Sequence, residues 1–246
     1  MFRLRYAAGS QGCARDAGTV VLVTPGPGGP APDGTGVRGL VLAAGAGTRY
    51  GGPKALARDE GGVPWVERVV VALRDGGCDD VLVVLGAGAD RARALVPGDA
   101  VVVEARDWAL GLASSLAAAL DVVLDGVRAG AAADALVIVP VDVPGLPASA
   151  VARVIAAAGT ASSADAADPR RAAALVRATH GGLPGHPVLL GADHWEPLRA
   201  RLPGGAADAG AGPHLAALAA AAGTAVTAVA CDDLWDGLDV DAPPIT

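Results

Sequence analysis

The chain has 246 residues, of which 52% are hydrophobic and 3% are aromatic, and its formal net charge at pH 7 is −7. This length suffices for one α/β domain that folds without a disulfide or a structural metal, and the acidic balance, with no block of Lys or Arg, excludes the basic face of a nucleic-acid-binding protein. No run approaches the roughly 20 apolar residues of a membrane helix, and the three cysteines lack metal-ligand spacing, so we expect a cytoplasmic protein without nucleic-acid or membrane partners.

The first 37 residues differ in composition from the rest of the chain. Residues 24–32 read Thr-Pro-Gly-Pro-Gly-Gly-Pro-Ala-Pro, and such a run sustains neither a helix nor a strand ladder. We expect residues 1–37 to form a flexible tail and residues 38–246 to form the folded domain.

After this segment, apolar runs alternate with stretches of helical periodicity. Four runs are short and rich in β-branched residues, as buried parallel strands are, and they span Gly39–Ala43, Val81–Leu85, Ala100–Val103 and Ala135–Val141. Apolar residues at helical spacing predict helices around 65–73, 112–123 and 151–155, and a surface loop is expected over Thr160–Arg171. The alternation predicts an α/β fold of three layers, a doubly wound and mostly parallel sheet with ligands at the carboxyl ends of its strands.

A glycine-rich loop follows the first predicted strand, where residues 42–54 read Leu-Ala-Ala-Gly-Ala-Gly-Thr-Arg-Tyr-Gly-Gly-Pro-Lys. Its glycines let backbone N–H groups approach an anion, while Arg49 and Lys54 add a planar and a flexible cation. A Walker A loop is excluded because Ala55 stands where that loop has its metal-binding hydroxyl, and the glycine spacing does not fit a Rossmann fingerprint. The loop therefore predicts a polyphosphate site of another kind.

Two groups of acidic residues are candidate metal ligands. Asp142 directly follows the fourth apolar run, which brings one carboxylate to the ligand edge of the sheet, and Mg²⁺ needs only one or two protein carboxylates besides substrate phosphates. The alternative is a turn or helix-capping aspartate. Asp239 and Asp241 precede Pro243, and we favour Asp241 as a second ligand over the alternative of a solvated turn.

Three further polar residues are candidates for ligand contact. Ser114 and Ser115 lie where a loop enters the second predicted helix, so one hydroxyl should cap the helix and the other could hold an anion with the first-turn N–H groups. His186 stands between Gly185 and Pro187, in a rigid segment. It could contact a ligand or make a structural hydrogen bond, and the sequence leaves both open.

Five segments together resemble the MobA-like branch of the nucleotidyltransferases, and within it the molybdenum cofactor cytidylyltransferases most closely. These segments are the glycine-rich loop at 42–54, Asp107–Leu116, Val139–Pro144, Gly185–Leu189 and Asp239–Pro243. The resemblance implies a Rossmann-like nucleotidyltransferase fold over residues 38–246. It also implies transfer of a nucleotide from a nucleoside triphosphate to a phosphorylated acceptor, with release of pyrophosphate.

The resemblance also implies a role for each candidate residue. Arg49, Lys54 and Asp142 would be catalytic, Asp142 and Asp241 would ligate Mg²⁺, and His186 would border the acceptor. The nucleotide would be bound by Leu42, Ala43, Ala44, Gly45, Gly47, Arg49, Lys54, Ser114 and Ser115. The Leu-Ala-Ala-Gly sequence, in place of the guanylyl members' Leu-Ala-Gly-Gly, favours CTP, because the methyl group of Ala44 would limit the room for a purine. The acceptor would then be molybdopterin, whose terminal phosphate receives CMP.

One departure from the family pattern leaves the acceptor open. The family's Gly-Asp-x-Gly-Ala-Arg stretch ends here at Gly212, so its arginine is absent. The alternatives are another nucleotide such as GTP, another phosphorylated acceptor, or a non-catalytic carrier of the molybdenum cofactor. A transient contact with a molybdoenzyme or its chaperone would follow from the favoured function.

Overall fold

A computed structural model describes residues 35–131, 133–159, 168–202 and 211–242, which contain one seven-stranded sheet. The strands are β1 (Val37–Ala43), β2 (Asp80–Leu85), β3 (Val101–Glu104), β4 (Ala135–Pro140), β5 (Leu175–His180), β6 (Leu183–Gly191) and β7 (Thr227–Ala230). Their order across the sheet is β3-β2-β1-β4-β6-β5-β7. All neighbours are parallel except the two pairs that β6 makes with β4 and β5. The predicted α/β fold with a mostly parallel sheet is confirmed.

Helices cover both faces of the sheet. They are α1 (Trp65–Asp75), α2 (Ala89–Ala92), α3 (Leu112–Arg128), α4 (Ala148–Ala157), α5 (Pro169–Ala172), α6 (Trp195–Arg201) and α7 (Ala211–Ala222). Because successive strand residues point to opposite faces, β1 contributes Val41 to a core with α1 and α4, and Leu40 to a second core with α3, α6 and α7. The three predicted layers follow from this alternation.

The folded domain begins earlier than its predicted start at residue 38. Thr35 and Gly36 donate backbone hydrogen bonds to the carboxylate of Asp79, at 2.7 and 2.8 Å. Val37 is the first residue of β1 and is fully buried. These contacts assign three residues of the predicted tail to the domain, while residues 1–34 lie outside the described part of the chain and their flexibility stays a prediction.

Two truncations should therefore behave differently. Deleting residues 1–34 should leave the thermal midpoint unchanged, because the deletion removes none of these contacts. Deleting residues 1–37 should lower the midpoint by about 10 °C or more, since it removes a buried valine and the charge-assisted hydrogen bonds to Asp79. Thermal unfolding of both truncated chains checks this, and a large drop for the shorter deletion would contradict it.

The predicted surface loop over Thr160–Arg171 is wrong at its C-terminal end. Residues 160–167 lie outside the described part, but α5 includes Arg171, which is only 2% exposed. Its guanidinium donates to the carbonyl oxygen of Gly159 at 3.0 Å and lies 3.8 Å from the carboxylate of Asp134. Because a buried guanidinium must be hydrogen-bonded and paired, these partners hold the segment against the domain.

Candidate functional site

The carboxyl ends of β1 and β4 lie side by side and bring two predicted segments together. Val141 donates a backbone hydrogen bond to Leu42 at 3.0 Å, which extends the pairing of these strands to the residue before Asp142. The glycine-rich loop leaves the sheet from the end of β1, so it begins beside Asp142. Neighbouring parallel strands thus explain how residues about a hundred positions apart share one edge of the sheet.

Three carboxylates gather at this edge. Asp142, Asp239 and Asp241 each offer an oxygen atom, and these atoms all lie within 4.8 Å of one another. Val240 donates its backbone N–H to the carbonyl oxygen of Asp142 at 2.8 Å. This hydrogen bond attaches the C-terminal segment, residues 231–242, to the site. Among the described residues, the Oδ1 atom of Asp142 is buried without a hydrogen-bond partner. A buried, unpaired carboxylate oxygen beside two more carboxylates fits a hard divalent cation such as Mg²⁺.

Asp239 is the member of this cluster that the sequence favoured least. Asp239 and Asp241 flank Val240, whose backbone N–H is held by Asp142, and both carboxylates reach the cluster. The Asp-Val-Asp spacing at 239–241 is therefore the signal that could have identified both carboxylates as one pair.

Lys54 lies between two of the carboxylates. Its Nζ atom is 2.8 Å from Asp142 Oδ2 and 3.0 Å from Asp241 Oδ1. Burial lowers the pKa of Lys54, but these two hydrogen bonds more than offset that effect, and its pKa is raised above the ordinary value. The same contact lowers the pKa of Asp241. The lysine that was predicted to neutralise a triphosphate neutralises the carboxylate cluster in this structure.

The glycine-rich loop folds back on itself around Gly47. The carbonyl oxygen of Gly47 accepts hydrogen bonds from the N–H groups of Gly51 and Gly52, at 2.9 and 3.1 Å. Gly47 has a φ of 60°, and a Cβ atom there would lie 1.9 Å from the oxygen of Gly52, so only glycine fits. A Cβ atom on Gly45 would meet no described atom within 4 Å, which leaves that side of the loop open. Arg49 is exposed and close enough to Asp241 to contribute to its lowered pKa.

The side chains at the start of the loop face the core. Leu42, Ala43 and Ala44 are 7%, 2% and 3% exposed, and the carbonyl oxygen of Ala44 accepts a hydrogen bond from Ala87 at 3.0 Å. The expectation that the methyl group of Ala44 faces the base is therefore wrong, because that methyl group packs in the core. The side chains of these three residues are therefore not free to contact a ligand.

The two serines also differ from the expectation. Helix α3 has Gly111 at its N-cap, with a φ of 113° and no side-chain cap. Ser114 Oγ instead lies 2.6 Å from the carbonyl oxygen of Asp107 and 2.8 Å from that of Gly111, and its one hydroxyl hydrogen can be donated to either of them. Ser115 is 2% exposed and lies on the core side of α3. The predicted cap is wrong, because the hydroxyl of Ser114 donates its hydrogen bond to a backbone carbonyl oxygen of the preceding turn.

His180, to which the sequence analysis gave no role, fastens the C-terminal segment to the site. Its Nδ1 atom is 3.2 Å from the carbonyl oxygen of Trp235, and its Nε2 atom is 3.1 Å from that of His186. The imidazole also packs edge-on against Trp235, with 5.0 Å between ring centroids. No local pattern links residues so far apart in the chain, so the sequence gives no signal for this contact.

His186 lies near the carboxylate cluster with a neutral imidazole. Its Nδ1 atom is buried without a hydrogen-bond partner in the part of the chain that the structure describes. Burial lowers its pKa, and the negative charges of Asp142 and Asp239 only partly oppose this. A backbone hydrogen bond to Ile138 opposes the lowering of this pKa, so the one N–H of a neutral ring points to Ile138 and the unpartnered Nδ1 can accept a hydrogen bond.

Fold and site together define an α/β protein that brings a glycine-rich loop to a cluster of three carboxylates at one edge of its sheet. The chain belongs to the MobA-like NTP transferase family, since the sequence model of that domain matches residues 39–224, more than half of the chain. The resemblance to the MobA-like branch is thereby confirmed, and the class of the protein is that of the nucleotidyltransferases. No helix in the described ranges is long and apolar enough to cross a membrane.

Individual relatives agree on the fold. A crystal structure of a Mycobacterium tuberculosis Rv0371c homologue from Mycobacterium sp. strain JC1 is 26% identical, with a TM-score of 0.62 over 85% of this chain and 92% of that one. A manganese complex of Rv0371c from Mycobacterium tuberculosis H37Rv is 21% identical, with a TM-score of 0.54 over 84% and 90%.

A curated relative matches over a shorter stretch. Nicotine blue oxidoreductase of Paenarthrobacter nicotinovorans is 45% identical over 82 residues, which are 32% of this chain and 39% of that protein. The chain thus spans about two fifths of this relative's length. Since its name describes a reaction other than nucleotide transfer, the substrates of the present chain have to be argued from its own site.

Proposed function

We propose that this protein transfers CMP from CTP to the terminal phosphate of molybdopterin and releases pyrophosphate. The observation that carries the proposal is the contact of Lys54, from the phosphate-binding loop, with Asp142 and Asp241. It joins a triphosphate-binding element and a metal-binding element in one site, as nucleotide transfer requires. The choice of CTP and of molybdopterin rests on the resemblance of the Leu42–Gly45 sequence and of the Gly185–Leu189 segment to the cytidylyl members of the family.

Asp142, Asp239 and Asp241 would hold Mg²⁺. The unpaired Oδ1 atom of Asp142 supports this assignment, as does the manganese complex of the Rv0371c protein, because both cations prefer oxygen ligands. When bound, the ion would offset the negative charge that builds up as the phosphate of the acceptor approaches the α-phosphate of CTP.

The reaction balances without a protein nucleophile. A phosphate oxygen of the acceptor attacks the α-phosphorus of CTP in line, a new P–O bond forms, and the bond to pyrophosphate breaks. Positioning and charge neutralisation supply most of the catalysis in such transfers. Arg49 and Lys54 would neutralise the triphosphate, and the loop backbone from Ala43 to Gly47 would bind it through N–H groups.

The acceptor and the wider context are also part of the proposal. His186 would border the acceptor, as the resemblance to the family implies, and the charges of Asp142 and Asp239 act on its imidazole. A contact of Ser114 with the nucleotide would require its hydroxyl to leave the carbonyl oxygens that it now meets. The protein would act in the cytoplasm and would pass its product to a molybdoenzyme or its chaperone by transient contact.

Magnesium-dependent release of pyrophosphate tests the function. CTP, GTP, ATP and UTP should each be assayed with and without molybdopterin, and with a panel of sugar and polyol phosphates. We expect release from CTP only when molybdopterin is present. Release with GTP or with another acceptor would replace the proposed substrates, and tight binding of molybdopterin without turnover of any triphosphate would identify a carrier.

A further inference from the structure

Two of the three clustered carboxylates lie on a stretch without regular secondary structure. Residues 235–241 follow the turn after β7 and belong to no helix or strand. Trp235 and Val240 pack against the core near the two ends of this stretch, but Asp239 and Asp241 themselves are exposed. A stretch that buries so little apolar surface is held in place by a few specific contacts, and a cation shared with Asp142 requires it to be held.

The imidazole of His180, at the end of β5, makes one of these contacts. Its Nδ1 atom lies 3.2 Å from the carbonyl oxygen of Trp235, and the ring packs edge-on against the indole. On its other side, Nε2 lies 3.1 Å from the carbonyl oxygen of His186. Both partners are acceptors, so a neutral ring donates its one N–H to one of them and a doubly protonated ring donates to both. The ring thus lies between the C-terminal segment and the segment that contains His186.

Two glycines make room for this imidazole. A Cβ atom on Gly237 would collide with the ring and would lie 2.8 Å from the Cβ atom of His180, and a Cβ atom on Gly185 would lie 2.6 Å from its Cδ2 atom. Gly237 also has a φ of 76°, a conformation that side chains disfavour. The backbone of the C-terminal segment therefore lies directly against His180 only two residues before Asp239.

We propose that His180 is a positioning residue for the metal site, because it holds the C-terminal segment where Asp239 and Asp241 meet Asp142. This inference rests on the proposed function, in which these carboxylates ligate the cation, and it adds the residue that assembles them. His180 acts through the backbone of Trp235 and Gly237 and not as a ligand. A cation that needs all three carboxylates binds only molecules in which the segment is in this position, so its apparent affinity falls with their fraction.

The first test measures Mn²⁺ binding to the full chain by titration calorimetry, without nucleotide. His180→Ala should bind Mn²⁺ about 10-fold more weakly than the wild type, because a hydrogen bond and a ring contact are lost. His180→Asn should stay within about threefold of the wild type, since its amide nitrogen takes the place of Nδ1 and can donate to Trp235. His180→Gln places its amide near Nε2 instead and should resemble His180→Ala. Wild-type affinity in His180→Ala, or equal losses in the Ala and Asn variants, would overturn the inference.

The second test perturbs the same contact from the C-terminal segment. Gly237→Ala should also weaken Mn²⁺ binding about 10-fold, because its methyl group collides with the imidazole of His180. The matched control is Gly223→Ala. Gly223 has a φ of 66°, and a Cβ atom there would meet no described atom within 4 Å, so the control has similar backbone strain without the collision and should bind Mn²⁺ like the wild type. Equal weakening in both variants would attribute the effect to strain and contradict the role of His180.

The third test needs no metal. In EDTA, hydrogen exchange of the Val240 amide, which donates to Asp142, should be about 10-fold faster in His180→Ala and in Gly237→Ala than in the wild type, with the amides of β4 unchanged. Arg153→Gln removes an exposed ion pair with Asp233 at the start of the segment and should change the Val240 rate by about twofold or less.

Unchanged exchange of Val240 in both His180→Ala and Gly237→Ala would overturn the inference, whether or not the wild type binds a metal. Absence of Mn²⁺ binding by the wild type would instead refute the metal assignment in the proposed function. The exchange rates in EDTA would then still decide whether His180 holds the C-terminal segment.

Discussion

Replacing Asp142 with asparagine is expected to lower kcat/KM for nucleotide transfer by about 1000-fold while the protein stays folded. The change keeps the size of the side chain but removes the charge from the carboxylate whose Oδ1 atom is buried without a partner. A metal ion contributes several kcal/mol to such a reaction, and each 1.36 kcal/mol corresponds to a factor of ten in rate. Initial rates of pyrophosphate release at saturating Mg²⁺ measure the effect.

The fold should tolerate this substitution for a specific reason. The contact that fastens the C-terminal segment uses the backbone carbonyl oxygen of Asp142, which accepts from Val240, and an asparagine keeps that group. Mn²⁺ should raise the thermal midpoint of the wild type but not of Asp142→Asn, since a ligand stabilises only a form that it binds. Asp75→Asn, at the exposed end of α1, removes one carboxylate elsewhere and should behave like the wild type. Wild-type rates in Asp142→Asn would refute the metal assignment.

The sequence predicted the parallel half of the sheet but not the other strands. The strands β1 to β4 are nearly unbroken apolar runs, because helices cover both of their faces. β5 instead carries Arg177, Thr179 and His180, and β6 begins with Leu-Pro-Gly-His-Pro. These residues break the hydrophobic pattern, since this part of the sheet lies next to the candidate site, where polar groups are needed.

The sequence predicted a site residue where that residue directly follows a strand. It did not predict contacts between segments that are far apart in the chain. Asp142 follows directly from the run that ends at Val141. The contact between Lys54 and Asp241 joins residues 187 positions apart, and the contact between His180 and Trp235 joins residues 55 positions apart. No local pattern encodes such distances, so these contacts appear only when the elements pack.

The position of Lys54 implies that its positive charge and a divalent cation compete for the same oxygens. Without a metal, the ammonium group of Lys54 offsets the electrostatic repulsion between the carboxylates of Asp142 and Asp241. For a metal to bind between these carboxylates, Lys54 has to leave at least one of them. A released Lys54 lies on the loop that would hold the triphosphate, so metal binding would free the lysine for the phosphates.

Lys54→Met should therefore strengthen metal binding and weaken catalysis in the same protein. Methionine preserves the length of the side chain but not its charge, so the carboxylates lose their internal counter-ion. We expect the Mn²⁺ concentration needed for half of the thermal stabilisation to fall about 10-fold without nucleotide. We also expect kcat/KM for every triphosphate to fall about 100-fold or more, because a cation that offsets transition-state charge is lost.

Lys54→Arg is the matched control, since it keeps the charge and should preserve the Mn²⁺ requirement of the wild type. Unchanged or weaker Mn²⁺ binding by Lys54→Met would show that the lysine does not compete with the metal, and retained turnover would show that it does not serve the triphosphate.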